Sequence, residues 1–416
     1  MRGRQLPSPM LRLTAALLVA LHAARPLAAQ PVAPNPHRNE PIGSARQVYD
    51  GALPLDLAVN TFRNIDRLFA TRGIHRSPQP LALPRATTPL GPIAFTSRGE
   101  RRTLDDYVRL NNVTGLLVLH DGRIVLERYE HGNTERTRWM SMSVAKSVTS
   151  TLIGAAVRQG KIASINDQVV KYVPALAGSA YDGATVRDVL MMASGVKWVE
   201  TYTDSTSDRR HLLEAQIAQK PGGAVAVMKA LPRAYPPGTH NTYNTGETQM
   251  AGEIVRGAVG MTLSEYLDER LWHRPGGMEA DATWWLESPN GIEIGGSGIS
   301  ATLRDYGRIG MLMLNGGVVA GDSILPAGWT TEATTPKTLK GGEPLDYGYL
   351  WWPAETDAGN RDKAYSADGI FGQFIYVNPA TRVVVVVWSA WPKPSARMPV
   401  RDWDFFDAIA ERWRRE

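Results

Sequence analysis

Ser143 and Lys146, in the stretch RWMSMSVAKSVTS, are of types and at a spacing that could do covalent chemistry. On a helix, positions i and i+3 share a face, which brings the Lys146 amine beside the Ser143 hydroxyl. A serine hydroxyl is a weak nucleophile until a base takes its proton. Lysine becomes that base only if its pKa falls, through burial or a neighbouring cation. If Ser143 opens the helix, its backbone N–H has no intrahelical acceptor and could steady an oxyanion. Taken alone, Ser-x-x-Lys is a weak signal, since about one is expected by chance in a chain of this size. A second one, Ser194-Gly-Val-Lys197, stands in the turn-like MMASGVKW. Gly195 argues against a helix there, so Ser143 is the predicted nucleophile.

The surrounding elements favour the first motif. Ser143–Gln159 carries Val144, Ala145, Val148, Leu152, Ile153, Ala156 and Val157, apolar on most sides, which marks a buried helix. Before it, Thr114–His120 and Arg123–Glu130 flank Asp121-Gly122, a pair that favours a type I′ hairpin. A second hairpin is predicted from Phe374–Val377 and Val383–Ser389 around NPATR (378–382). Its five consecutive valines suit a strand buried on both faces. Thr185–Met192 and Thr302–Leu314 read as amphipathic helices. Asp402–Arg415 reads as a closing helix, with Trp403, Phe406, Ile409 and Trp413 at helical spacing. Strands therefore come from both chain ends and helices fill the interval.

Of 416 residues, 43% are hydrophobic and 21% charged, as in a globular chain with a large core. The net charge is +5, but Arg2, Arg4, Arg12 and Arg25 fall in the first 29 residues, which hold no acidic residue. The remainder is near neutral, so the charge gives no reason to expect nucleic acid as a partner. Those arginines, the apolar run Leu13–Ala24 and the small residues Ala28 and Ala29 form the pattern of a secretory leader, with cleavage expected after Ala29 and a periplasmic or secreted product. The run is short for a bilayer span, so no membrane span is expected after cleavage. Cysteine is absent, which excludes disulfides and thiol catalysis. The eight histidines are scattered without ligand spacing, so neither metal nor organic cofactor is expected. There is no G-x-S-x-G elbow, Walker loop or helix-opening G-x-G-x-x-G.

Motif order adds a family. The hairpin, SVAK, GKIASINDQVVKYVPAL and VRDVLMMASG are followed by PPGTHNTYNTGETQM (236–250), GGSGISATLRDYGRIGMLMLNGG (295–317), YGYLWW (347–352) and ADGIFGQFIYVNP (367–379). Together, over roughly residues 100–415, they resemble the serine β-lactamase and penicillin-recognising superfamily of class C type, and within it the branch of 6-aminohexanoate-dimer hydrolases and esterases. The resemblance implies that Ser143 and Lys146 are nucleophile and paired lysine, and that Tyr243 relays a proton. It implies that Thr245 keeps a hydroxyl able to bond Lys146 or substrate, and that Tyr202, in WVETYTDSTSD, contacts the departing nitrogen. The third motif departs from the usual Lys-Thr-Gly or His-Thr-Gly: Ala367-Asp368-Gly369 stands there. Gly369 would let the backbone approach, and the Ile370 N–H would be the second oxyanion donor. Without the motif's cation, weak or absent β-lactamase activity is expected.

The expectation is an α+β fold of the β-lactamase/transpeptidase type, an antiparallel sheet flanked by helices with an inserted helical domain. Residues 1–29 would be the leader and 30–100 a linker and irregular extension. Residues 101–160 and 346–416 would form the α/β domain, and 161–345 the inserted, mainly helical domain. The expected function is hydrolysis of a small amide or ester through a Ser143 acyl-enzyme. The alternatives are a D,D-peptidase or β-lactamase on the same fold, and a binding or sensor protein that kept the fold without the activity.

Overall fold

The computed structural model describes Gly3 and residues 31–414; apart from Gly3, the expected leader lies outside the described residues. The fold is α+β. Its main sheet is antiparallel and six-stranded, in the order Trp352–Pro353, Tyr365–Gly369, Gln373–Asn378, Val383–Ser389, Val113–His120, Arg123–Tyr129. The two chain ends thus pair at its centre, Val383 opposite His120 through Val387 opposite Leu116. Val383 to Val387 are all almost fully buried, and each contributes about 1.5 kcal/mol or more by leaving water. Asp121 and Gly122 both have positive φ, 46° and 73°, as a type I′ turn requires.

The helix bearing Lys146 spans Val144–Arg158, and every residue from Val144 to Ala156 is buried. It packs against a second long helix, Thr245–Val259, and against strand Tyr365–Gly369. The helix Leu303–Leu314 lies within the stretch expected as an inserted domain, yet it packs on the central strands of the main sheet. Its apolar stripe is matched by strands from the chain ends rather than by its sequence neighbours. The interval also contributes strands. Ala282–Trp285 and Ile299–Thr302 join Thr71–Ile74 and Arg138–Met140 in a second, four-stranded antiparallel sheet. At four residues each, the first three are too short to show an alternating pattern.

The N-terminal extension is more ordered than its proline clusters suggest. Ser44 and Gln47 form a capping box that opens helix Ala45–Asp50, and a second helix follows at Leu55–Phe62. Even the expected linker is seated: Asn35 is buried and donates to the Arg63 carbonyl at 2.7 Å. Phe62 packs edge-on to Trp139 at 5.8 Å and tilts over Phe371 at 4.9 Å. Trp139, from the second sheet, stacks on Trp388, from the first, at 5.7 Å. The extension therefore plugs the seam between the two sheets. Phe62→Ala is expected to cost about 3 kcal/mol or more, seen as a lower denaturant midpoint. It should also lower activity in the protein that remains folded, because Phe371 follows Ile370.

Candidate active site

The second sheet delivers Ser143. Strand Arg138–Met140 pairs with Ile299–Thr302, and the pairing continues past its end: Ser141 N–H donates to the Ile299 carbonyl at 2.7 Å, and the Ile299 N–H donates to Ser141 Oγ at 3.1 Å. Met142 then takes φ +41°, a left-handed conformation uncommon for a side chain of its size. That sharp step places Ser143 just ahead of the first helical residue, Val144.

The i, i+3 geometry is realised. Lys146 Nζ lies 3.0 Å from Ser143 Oγ and donates to the Gly296 carbonyl, also at 3.0 Å. Lys146 is 2% exposed, and burial lowers its pKa to about 7; Arg209 pushes the same way and Glu200 opposes. At neutral pH a large share of Lys146 is then an amine able to accept a proton. The Tyr243 hydroxyl also reaches the Ser143 hydroxyl. Its ring stacks on Trp352 at 5.6 Å and lies 5.5 Å from Lys146 Nζ. Burial, ahead of the Glu200 charge, holds the Tyr243 hydroxyl above its ordinary pKa, so it stays protonated.

Tyr243 also lines an open cleft of about 750 Å³, with Tyr202, Trp352, Asp368, Gly369 and Ile370 among its other walls. Ser143, at 7% exposure, and Lys146 are not among those walls and meet the cleft through Tyr243. A nucleophile hydrogen-bonded to a depressed-pKa amine, with a phenol beside both at a cleft, is an arrangement suited to acyl transfer.

The β-lactamase family model matches residues 105–408. The 6-aminohexanoate-dimer hydrolase of Paenarthrobacter ureafaciens is 30% identical over 326 residues, covering 74% of this chain and 81% of that protein. This chain belongs to the β-lactamase family. It is a serine hydrolase of that superfamily. Among solved structures, a provisionally named 6-aminohexanoate-dimer hydrolase from Bacillus anthracis superimposes with TM-score 0.72 at 23% identity, covering 84% of this chain and 91% of its own. A family VIII carboxylesterase gives TM-score 0.56 at 17% identity, covering 74% and 95%. At those identities the structures show the shared fold alone.

The third-motif strand of this β-lactamase-family protein ends at Gly369, paired with Gln373. A Cβ on Gly369 would stand 2.5 Å from Gln373 Oε1 and 3.0 Å from the Ser141 carbonyl. Only a bare backbone fits so close to the Ser143 turn. The following turn is tied down: Gly372 N–H donates to the Gly369 carbonyl at 3.0 Å, Phe371 N–H to Gln373 Oε1 at 3.2 Å, and Ser395 N–H to the Ile370 carbonyl at 2.7 Å. Ala367 is fully buried, so Asp368 alone of that pair faces the cleft. Burial raises its carboxyl to about pH 7, and its Oδ1 has no hydrogen-bond partner among the described residues.

Thr245, expected to bond Lys146 or substrate, is held by Glu200. Its Oγ1 donates to Glu200, and its N–H donates to Glu200 Oε2 at 2.9 Å, so the hydroxyl is not bonded to Lys146. Thr245 opens a helix, where free N–H groups and the helix dipole attract an anion. Glu200 also accepts from Trp198 Nε1, and its charge acts on Tyr202. Tyr202 lines the cleft. Its loop is braced by the extension: Arg210 donates to the Tyr202 carbonyl at 3.1 Å and to Asp50 at 2.6 Å, and Arg209 donates to the Tyr49 hydroxyl at 2.5 Å.

Glu200, Arg209 and Gly296 were not legible as site residues. Glu200 and Gly296 sit inside motifs that do stand out, but a single carboxylate or glycine in a loop has no spacing signal. The competing motif separates as predicted. Ser194 is buried and donates to Glu247, whereas Lys197 is exposed and its N–H is bonded to the Pro232 carbonyl.

Proposed function

We propose that this protein is exported and hydrolyses small amides or esters by two acyl transfers through Ser143. The observation that carries this is Lys146 Nζ, buried and 3.0 Å from Ser143 Oγ. Ser143 Oγ attacks the carbonyl carbon as its proton passes to neutral Lys146. The Ser143 and Ile370 N–H groups hold the resulting oxyanion. The carbonyl–nitrogen or carbonyl–oxygen bond then breaks, and the leaving group takes a proton from Tyr243, which regains one from Lys146. Water, deprotonated by the same pair, attacks the Ser143 ester; the ester bond breaks, the pair returns the proton to Ser143 Oγ, and a carboxylic acid is released. Tyr202 contacts the leaving group.

The name of the Paenarthrobacter relative makes an amide between short amino-acid units the first substrate to try. The readout is a burst of p-nitrophenol from p-nitrophenyl acetate or butyrate, with intact-mass detection of the acyl adduct. A stoichiometric burst supports the reading; absence of both burst and adduct overturns it. Export rests on the N-terminal arginines, apolar run and small residues. Its check is the N-terminal sequence of the protein recovered from a host cell, expected at Gln30.

A substrate carboxylate has no cation to meet in the cleft: its described lining holds Glu200, Glu355 and Asp368 but neither Lys nor Arg. Nitrocefin turnover by the purified protein should therefore be at most marginal, and labelling by a fluorescent penicillin faint. Efficient nitrocefin hydrolysis would favour the β-lactamase or D,D-peptidase reading instead.

A further inference from the structure

Glu200 binds more of the site than any one reaction step requires. Its carboxylate accepts from the Thr245 N–H at 2.9 Å, from Thr245 Oγ1 and from Trp198 Nε1, and its charge acts on the Tyr202 hydroxyl. These partners come from the loop that carries Tyr202 and from the helix start that follows Tyr243. Donors on several sides hold such a group as an acceptor.

We propose that Glu200 is a positioning residue: it ties the Tyr202 loop to the Tyr243 turn and places its carboxylate where it acts on Lys146. This rests on the reading that Ser143 is the acylated residue and Lys146 its base.

The charges facing these groups come from several elements. Lys146 meets the Ser143 hydroxyl, the Gly296 carbonyl and the Tyr243 ring. Arg209, on helix Asp208–Ile217, lowers its proton affinity, and Glu200 raises it. Glu200 also acts on Tyr202, Tyr243 and Tyr347. Arg209 is in turn anchored on Tyr49 of the N-terminal extension, with its guanidinium 4.4 Å from that ring's centre. Lys146 is thus poised between one anion and one cation, each attached to a different part of the scaffold. Burial alone would push its pKa down further, and Glu200 restrains that fall.

The direction of the effect follows. Lys146 works as the neutral amine, so kcat/KM falls on the acid side as it gains a proton. Without the Glu200 charge the proton leaves more easily, and that acid limb moves to lower pH. Loss of the Thr245 tethers loosens the Tyr243 turn and lowers kcat at every pH.

The test compares Glu200→Gln, Glu200→Asp and Thr245→Val with the full-length wild type. The Cε resonance of Lys146, in protein carrying isotope-labelled lysine and assigned by its loss in Lys146→Met, reports the titration without any substrate. In Glu200→Gln the midpoint should drop by about one pH unit, with the acid limb of p-nitrophenyl butyrate hydrolysis following it and kcat falling about 10- to 100-fold. Glu200→Asp keeps the charge, so its midpoint should stay near that of wild type while kcat falls. Thr245→Val removes a tether but not the charge, and should leave the midpoint unmoved. An unchanged midpoint in Glu200→Gln, or an equal drop in Thr245→Val, overturns the proposal. Should Glu200→Gln fail to fold, Glu200→Asp carries the test, and a drop of a full pH unit there overturns it. A fluorophosphonate that fails to label Ser143 in wild type would sink the hydrolase reading separately, and the Lys146 titration would still decide the role of Glu200.

Discussion

Ser143→Ala is expected to fold as wild type does, form no acyl adduct and lose at least about 10³-fold in turnover of p-nitrophenyl butyrate. The substitution removes one oxygen from a residue that is 7% exposed, and the Ser143 N–H remains where it was. Binding of the ester in the cleft should change little, so the loss falls on kcat rather than on KM. The far-ultraviolet spectrum and melting temperature check that the fold is intact. A burst or an acyl adduct surviving in Ser143→Ala would place the nucleophile elsewhere. Ser194 is then the first residue to examine, although its hydroxyl is engaged with buried Glu247.

Lys146→Met should lower kcat/KM by roughly 10²- to 10⁴-fold, the range for loss of a positioned proton acceptor. In wild type, kcat/KM should fall below about pH 7, where Lys146 takes up its proton. The same substitution should raise stability at low pH. The folded-state pKa of Lys146, about 7, lies below its ordinary 10.5. Between those values the unfolded chain binds the proton more fully than the folded one, so wild-type stability rises with pH across that window. Below pH 7 the folded protein carries a buried charge and the cost is complete. Lys146→Met should therefore melt a few degrees above wild type at pH 6, and the gap should shrink towards pH 10. A wild-type rate that is flat from pH 5 to pH 8, together with equal melting curves at pH 6, would refute Lys146 as a low-pKa base.

Both effects rest on a pair that was legible in the sequence. Ser143 and Lys146 stand one helical turn apart on a stretch with almost no polar face, and that suffices to predict contact and burial. The hairpin at Asp121-Gly122 and the five-valine strand were readable for the same reason: local periodicity and turn chemistry act over a few residues. The extension is less legible. Its two helices are short and separated by prolines, and Phe62 finds its place only against Trp139 and Phe371, each far away along the chain.

By itself, then, the sequence determined which residues could react, which runs would be strands or buried helices, and the superfamily to which their order belongs. Tertiary structure alone decided how the reactive pair is tuned. The Met142 turn arises because Ser141 is pinned to Ile299 from a second sheet. Gly296 and Glu200 join the site from segments 150 and 54 residues beyond Lys146 along the chain, and Arg209 reaches it from a helix braced by Tyr49. Thr245, read as a partner for Lys146 or the substrate, donates to Glu200. Charge, burial and hydrogen bonding depend on distance through space, and no spacing along a chain encodes that distance until the chain has folded.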